Sequence, residues 1–226
     1  MEKLKIRIER LFVIPFVLAL CLNFSFGMNQ TEESEQSKIK KYYKKDYNFT
    51  KVHMSSHVNT WAQILEHLKG KPGVHYLEIG VAEGSSSIWM LENILTAPTA
   101  RMTGIDPFVG DRFNIFLDNL RLSGFADKVT IKRGYSQYEL RGLPILSFDV
   151  IYIDGSHSAP DVLLDVVLCW DLLKYGGIMI LDDYPWQQEE LPALERPMMA
   201  IDAFLEMFEG QYETLHHKWQ VIIKKL

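Results

Sequence analysis

Residues 148–166 read FDVIYIDGSHSAPDVLLDV, and this stretch decides the fold. The apolar run Val150–Ile153 ends on Asp154, breaks at Gly155, sets down His157 and passes into the period of a helix. A run without polar alternation marks a strand buried on both faces, as the strands of a parallel sheet are. The acid at its end then belongs to the rim of that sheet. Residues 176–184, GGIMILDDY, repeat the device with two acids, Asp182 and Asp183. Three carboxylates and an imidazole are thereby expected along one crevice.

Outward from this stretch the same alternation continues. VHYLEIG, ARMTGID and DKVTIKRG read as strands one to three, FDVIYID as strand four and GGIMILDDY as strand five. Between them lie helical patterns: SSSIWMLENIL with serines at its start, RFNIFLDNLRLSG closed by Gly124, the short SQYELRG, and APDVLLDVVLCWDLL with Pro160 in its first turn. WAQILEHLKGKPG precedes strand one as an amphipathic helix, and a helical region interrupted by prolines, ELPALERPMMAIDAFLEMF, follows strand five. QYETLHH and KWQVIIKK close the chain as a hairpin. Strands alternating with helices predict an α/β fold: a Rossmann-like, doubly wound, mostly parallel seven-stranded sheet with an antiparallel C-terminal hairpin. Ligands of such sheets bind outside the carboxyl ends of the strands, which puts Gly80, Asp106, Asp154, Asp182 and Asp183 on one rim.

YLEIGVAEGSSS supplies a tight strand-to-helix turn between Gly80 and Gly84, with Glu78 just before it. The spacing is not GxGxxG, and no GKS or GKT follows, which excludes a P-loop. Asp106 ends strand two, where an acid can accept hydrogen bonds from ribose hydroxyls. Each residue alone has a plainer use. Gly80 and Gly84 can serve packing, Asp106 can cap the turn DPFVGD, Asp154 the following helix, and Asp183 can turn the chain before Pro185.

Together, EIGVAEG, GIDPF, FDVIYIDGSH and GGIMILDDY resemble the class I S-adenosylmethionine-dependent methyltransferases, over about residues 55–226. The branch most resembled is that of metal-dependent, macrolide-sugar O-methyltransferases. The resemblance implies S-adenosylmethionine as cofactor, with Glu78, Gly80 and Gly84 along its methionine part, Asp106 at the ribose, and Gly134, Tyr135 and Ser136 near the adenine. It also implies Asp154, Asp182 and Asp183 as ligands of Mg²⁺ or another divalent cation, with His157 as general base. The acceptor's identity does not carry over.

The chemistry of the acids agrees. Three neighbouring carboxylates repel and raise one another's pKa unless a cation neutralises them. Oxygen-only donors suit Mg²⁺, Mn²⁺ or Ca²⁺. A coordinated hydroxyl loses its proton more readily, and histidine titrates in the range needed to take it. Among the other candidates, His53, His57 and His67 read as surface or lid residues. Trp61, Trp89 and Trp170 read as core, and Trp186 as a cover for the acceptor. His216 and His217 are expected away from the rim.

The remaining features bound partners and location. Residues 1–27 join a basic start to the apolar LFVIPFVLALCL and a small-residue exit, the pattern of a signal peptide or membrane anchor, with membrane association through residues 11–27. This implies export or anchoring, or a cytoplasmic protein should Met28 be the true start. Residues 28–52, containing TEESEQSK and SKIKKYYKKDY, read as a polar linker ahead of a domain at 53–226. The net charge of −5 disfavours nucleic acid as a partner. Two cysteines, Cys21 and Cys169, offer no disulfide framework. The expected activity is methylation of a small hydroxylated acceptor, sugar or polyketide-like. A metal-independent methyltransferase, and an exported binding protein with a vestigial cofactor site, are the alternatives; the absent GxGxxG disfavours an NAD-linked oxidoreductase.

Overall fold

The computed structural model describes residues 34–186 and 190–226. The signal or anchor expected at 1–27, and residues 28–33, lie outside the described residues. Among the described residues no helix is long and apolar enough to cross a membrane.

Seven strands form one sheet: β1 (His75–Ile79), β2 (Arg101–Ile105), β3 (Val129–Lys132), β4 (Phe148–Ile153), β5 (Leu173–Leu181), β6 (Tyr212–His217) and β7 (Val221–Lys225). Their order is β3-β2-β1-β4-β5-β7-β6. The first five run parallel, while β7 pairs antiparallel with both β5 and β6. The chain order reverses between β1 and β4, so the connections leaving their carboxyl ends run to opposite faces of the sheet and leave a crevice at the rim. The expected Rossmann-like sheet with its terminal hairpin is what the structure contains.

Alternation along the strands builds a core on each face. In β4, Val150 and Tyr152 join one cluster with Trp61, Trp89 and Phe116. Ile151 and Ile153 join the other, with Val166, Trp170 and Phe204. The first face is covered by α2 (Val58–Ile64), α3 (Ser85–Asn93) and α4 (Arg112–Ser123), the second by α6 (Ala159–Leu172) and α7 (Pro197–Met207). A four-residue helix, α5 (Ser136–Glu139), follows β3. Strand five starts three residues earlier than its glycines suggest, because Leu173 is fully buried and pairs with Phe148 at the base of β4. It also stops at Leu181, which leaves Asp182 and Asp183 beyond the strand, on the rim.

The polar linker expected at 28–52 is corrected from residue 34 onward. Here α1 (Glu35–Tyr42) and the segment after it form a packed strap, burying Ile39, Tyr43, Tyr47, Phe49 and Val52 in the first core. The lysines between these residues have specific partners. Lys44 donates to the carbonyl of Glu92 at the end of α3, and Lys45 to those of Leu122 and Ser123 at the end of α4. Helix carboxyl ends carry unpaired carbonyls and partial negative charge, which ammonium groups satisfy. Tyr47 completes the strap with a 2.7 Å hydrogen bond to Glu92. Average polarity misleads here because the apolar residues are spaced one by one among lysines.

Candidate active site

One side of the crevice is the turn after β1. Gly80 adopts φ +89°, and a Cβ at this position would lie 1.9 Å from the Asp154 carbonyl oxygen. Its N–H donates to Ile105 at 3.0 Å, while Asp154 N–H donates to Ile79 at 2.8 Å. The tips of β1, β2 and β4 are thus joined at a residue that has to be glycine. Asp106, just past β2, accepts from Ala82 N–H at 2.9 Å and from Phe108 N–H, fixing two loops with one carboxylate. A cleft of about 250 Å³ runs from Gly80, Ala82 and Asp106 across to Asp154, His157 and Asp183. A second, of about 320 Å³, extends from Asp106 to Gly134, Tyr135 and Ser136.

Two residues expected on this wall stand behind it. Glu78 is 0 % exposed and accepts hydrogen bonds from the hydroxyls of Ser86 and Ser87 in the first turn of α3. Burial pushes its carboxyl up to about 7, against the opposing pull of those two serines. Gly84, at φ +88°, faces Phe116 of α4, whose ring a Cβ would meet at 2.7 Å. Glu78 therefore braces α3 against β1, and Gly84 lets α4 approach.

The other side holds the acids. Asp154 follows β4, Asp182 and Asp183 follow β5, and all three line one cleft of about 390 Å³ with His157 and Trp186. One ligand atom each from Asp154, His157 and Asp183 lie within 4.8 Å of one another. Tyr152 O–H lies 2.9 Å from Asp154 Oδ2 and also contacts Asp182 Oδ2, so one hydroxyl proton serves two carboxylates. Asp182 accepts further from Gln220 Nε2 at 3.0 Å and from Asp183 N–H at 2.8 Å. His157 Nε2 stands 2.7 Å from Asp183 Oδ2, and Trp219 Nε1 donates to Asp183 Oδ1 at 3.0 Å. The His157 ring stacks on Trp186 with centroids 4.3 Å apart. Asp183 has φ +55°, a left-handed conformation that costs a non-glycine residue about 1 kcal/mol or more.

The electrostatics follow from this crowding. Burial, and then repulsion from Asp182 and Asp183, pushes Asp154 well above the usual carboxylate range. Burial and the charge of Asp183 likewise raise Asp182. Burial works in the same direction at Asp183, but its hydrogen bond and attraction to His157 outweigh it and hold that group low. Clustered carboxylates whose charges are mutually unfavourable are what a divalent cation relieves. The carboxylate oxygens of Asp154 and Asp183 suit such an ion, with His157 beside them. Asp182, whose oxygens are engaged by Tyr152, Gln220 and Asp183 N–H, stands outside the group that converges within 4.8 Å.

Sequence reasoning missed the walls. His53 and His57 come from the segment between strap and α2 and line the acid cleft together with Lys51. His57 Nε2 stands 4.0 Å from Asp182 Oδ1; burial holds this imidazole below its ordinary range against the pull of Asp182. Gln220, fully buried, carries the chain of hydrogen bonds from Trp61 Nε1 at 2.8 Å to Asp182. The only local signal was a polar residue set between the apolar Trp219 and Val221 at the start of β7. His216 and Trp219, expected away from the rim or unremarked, border the outer mouth of the same region.

Residues 77–184 match the family model of a methyltransferase domain, a span running from the middle of β1 to just past the acids of β5. An uncharacterised protein of Acanthamoeba polyphaga mimivirus is 28% identical over 195 residues, covering 80% of each chain. Among solved structures, the O-methyltransferase TomG of Streptomyces achromogenes, crystallised with S-adenosylmethionine, superposes with a TM-score of 0.60 at 16% identity, over 84% of this chain and 87% of that one. An O-methyltransferase of Bacillus cereus, crystallised with S-adenosylhomocysteine, gives 0.57 at 18% identity, over 74% and 81%. At such identities the likeness is one of fold. The span that resembles a methyltransferase domain carries Gly80, Asp106, Asp154, His157, Asp182 and Asp183.

Proposed function

We propose that this chain is a methyltransferase that uses S-adenosylmethionine and a divalent cation to methylate a hydroxyl group of a small acceptor. The observation that carries the proposal is the continuity of the crevice: the cleft under Gly80 and Asp106 runs directly into Asp154, His157 and Asp183. A cofactor at the glycine turn and an acceptor at the acids would meet there without crossing protein.

In this reading Asp106 holds the ribose with the lone pairs its two backbone donors leave free, and Gly134, Tyr135 and Ser136 border the adenine. Gly80 lets the cofactor lie against main chain. Asp154, Asp182 and Asp183 would hold Mg²⁺ or a similar ion, which supplies Lewis acidity toward a bound hydroxyl. His157 donates Nε2–H to Asp183, which leaves Nδ1 with a lone pair to accept the acceptor's proton. Trp186 keeps that ring from rotating. The remaining contribution of the chain is alignment of the acceptor oxygen with the methyl group and exclusion of water.

The test uses full-length protein. Calorimetry should show binding of S-adenosylmethionine, and transfer of labelled methyl from it to a hydroxylated acceptor pool should stop in EDTA and return with Mg²⁺. No binding would refute the cofactor assignment. Full activity in chelator would favour the metal-independent alternative.

A further inference from the structure

The acid cleft does not end at Trp219. A second cleft of about 350 Å³ adjoins it, lined by Ser56, His57, Thr60, His216, Lys218 and Trp219. Ser56, His57 and Trp219 border both. The two differ sharply in charge. The inner cleft contains three carboxylates beside Lys51 and three imidazoles, whereas the outer one presents two hydroxyls, two imidazoles and an ammonium group, with no acid among its lining residues.

We propose that the outer cleft is an acceptor subsite for an anionic group, so that the methyl acceptor is a hydroxylated ring carrying a carboxylate, phosphate or sulfate on a short arm. The inference rests on the methyl-transfer reading of the acid cluster. The reacting hydroxyl lies at Asp154 and Asp183, the ring against Trp219, and the anion between Lys218 and His216.

Three features support this. The Trp219 indole N–H is committed to Asp183 at 3.0 Å, which fixes the ring at the boundary, while the side chain stays 48 % exposed and offers a face for stacking. No carboxylate pairs with Lys218 among the described residues, and its backbone N–H donates to the Gln220 carbonyl at 3.0 Å, which closes the hairpin turn that presents it. Burial, then Lys218, His57 and His217, hold the His216 imidazole below its ordinary range, so this cleft offers the Lys218 ammonium with a neutral hydrogen-bonding ring beside it. A bound anion would pair with the Lys218 ammonium, and hydrogen bonds to charged groups are stronger than neutral ones.

The experiment compares 3,4-dihydroxycinnamate with its neutral amide, titrated into the full chain at low ionic strength and followed by tryptophan fluorescence. The acid should bind about tenfold more tightly than the amide, and Lys218→Glu should close that gap while leaving amide affinity unchanged. His216→Gln should narrow it. Equal affinities in the wild type, binding of neither compound, or a preference that survives Lys218→Glu would overturn the subsite. Methyl transfer to the same pair is scored separately. Anion preference without transfer to either compound would count against O-methylation and leave the subsite standing; equal transfer to both would do the reverse.

Discussion

The two sides of the crevice are built in different ways. The side under Gly80 is made from one short turn and one acid, both fixed by backbone: Gly80 packs against the Asp154 carbonyl, and Asp106 is held by two main-chain N–H groups. The side around the acids is made from segments distant in sequence. His53 and His57 come from beyond the strap, Asp154 and His157 from the end of β4, Asp182 and Asp183 from the end of β5, and Trp219 and Gln220 from the hairpin. Its side chains are positioned mainly by other side chains. A site of the first kind tolerates little change in backbone. One of the second kind can be retuned residue by residue, which suits a surface that selects an acceptor.

That contrast can be broken most severely at Gly80. Gly80→Ala forces a Cβ onto a backbone oxygen at a positive φ, and should cost about 4 kcal/mol or more of stability, read as a fall in the urea midpoint. A soluble, fully stable Gly80→Ala protein would show that the strand tips are not locked together. His157→Ala strikes the other side. It should lower turnover by about 10²–10⁴-fold, leave S-adenosylmethionine affinity within error in calorimetry, and barely move the melting temperature. A parallel loss of cofactor binding would mean that the two sides are one cooperative unit.

The smallest effect concerns the support behind the glycine turn. The folded-state pKa of Glu78 is raised to about 7, above its ordinary value, so the native chain keeps this proton where the unfolded chain has lost it. Stability should therefore fall as pH rises from the ordinary glutamate range toward about 7, by at most about 1.4 kcal/mol per pH unit, and level off above it. Glu78→Gln should flatten that decline in melting temperature against pH. An unchanged slope would place the titration elsewhere.

Much of the first side was legible in residues 77–106, because a glycine at a strand tip and an acid at the end of the next strand are local signals. The acids were legible as well, since Asp154, Asp182 and Asp183 interrupt runs that are otherwise apolar. Glu78 and Gly84 show the limit. The sequence places them near the crevice, but what a position faces depends on the helix packed behind it: Glu78 turns to the serines of α3, and Gly84 leaves room for Phe116 of α4. The strap was misread for a related reason: Ile39, Tyr43, Tyr47, Phe49 and Val52 have no regular period, and only α3 and α4 give them a surface to cover.

The sequence alone determined the order of strands and helices, and with it the parallel sheet and the rim on which the acids stand. Period and polarity are properties of consecutive residues. Tertiary structure decided which residues share the cleft: Gln220 beside Asp182, His57 facing it, and Lys218 and His216 at the outer mouth. These approaches are set by the return of the hairpin beside β5 and by the strap across α3, neither of which any local pattern encodes.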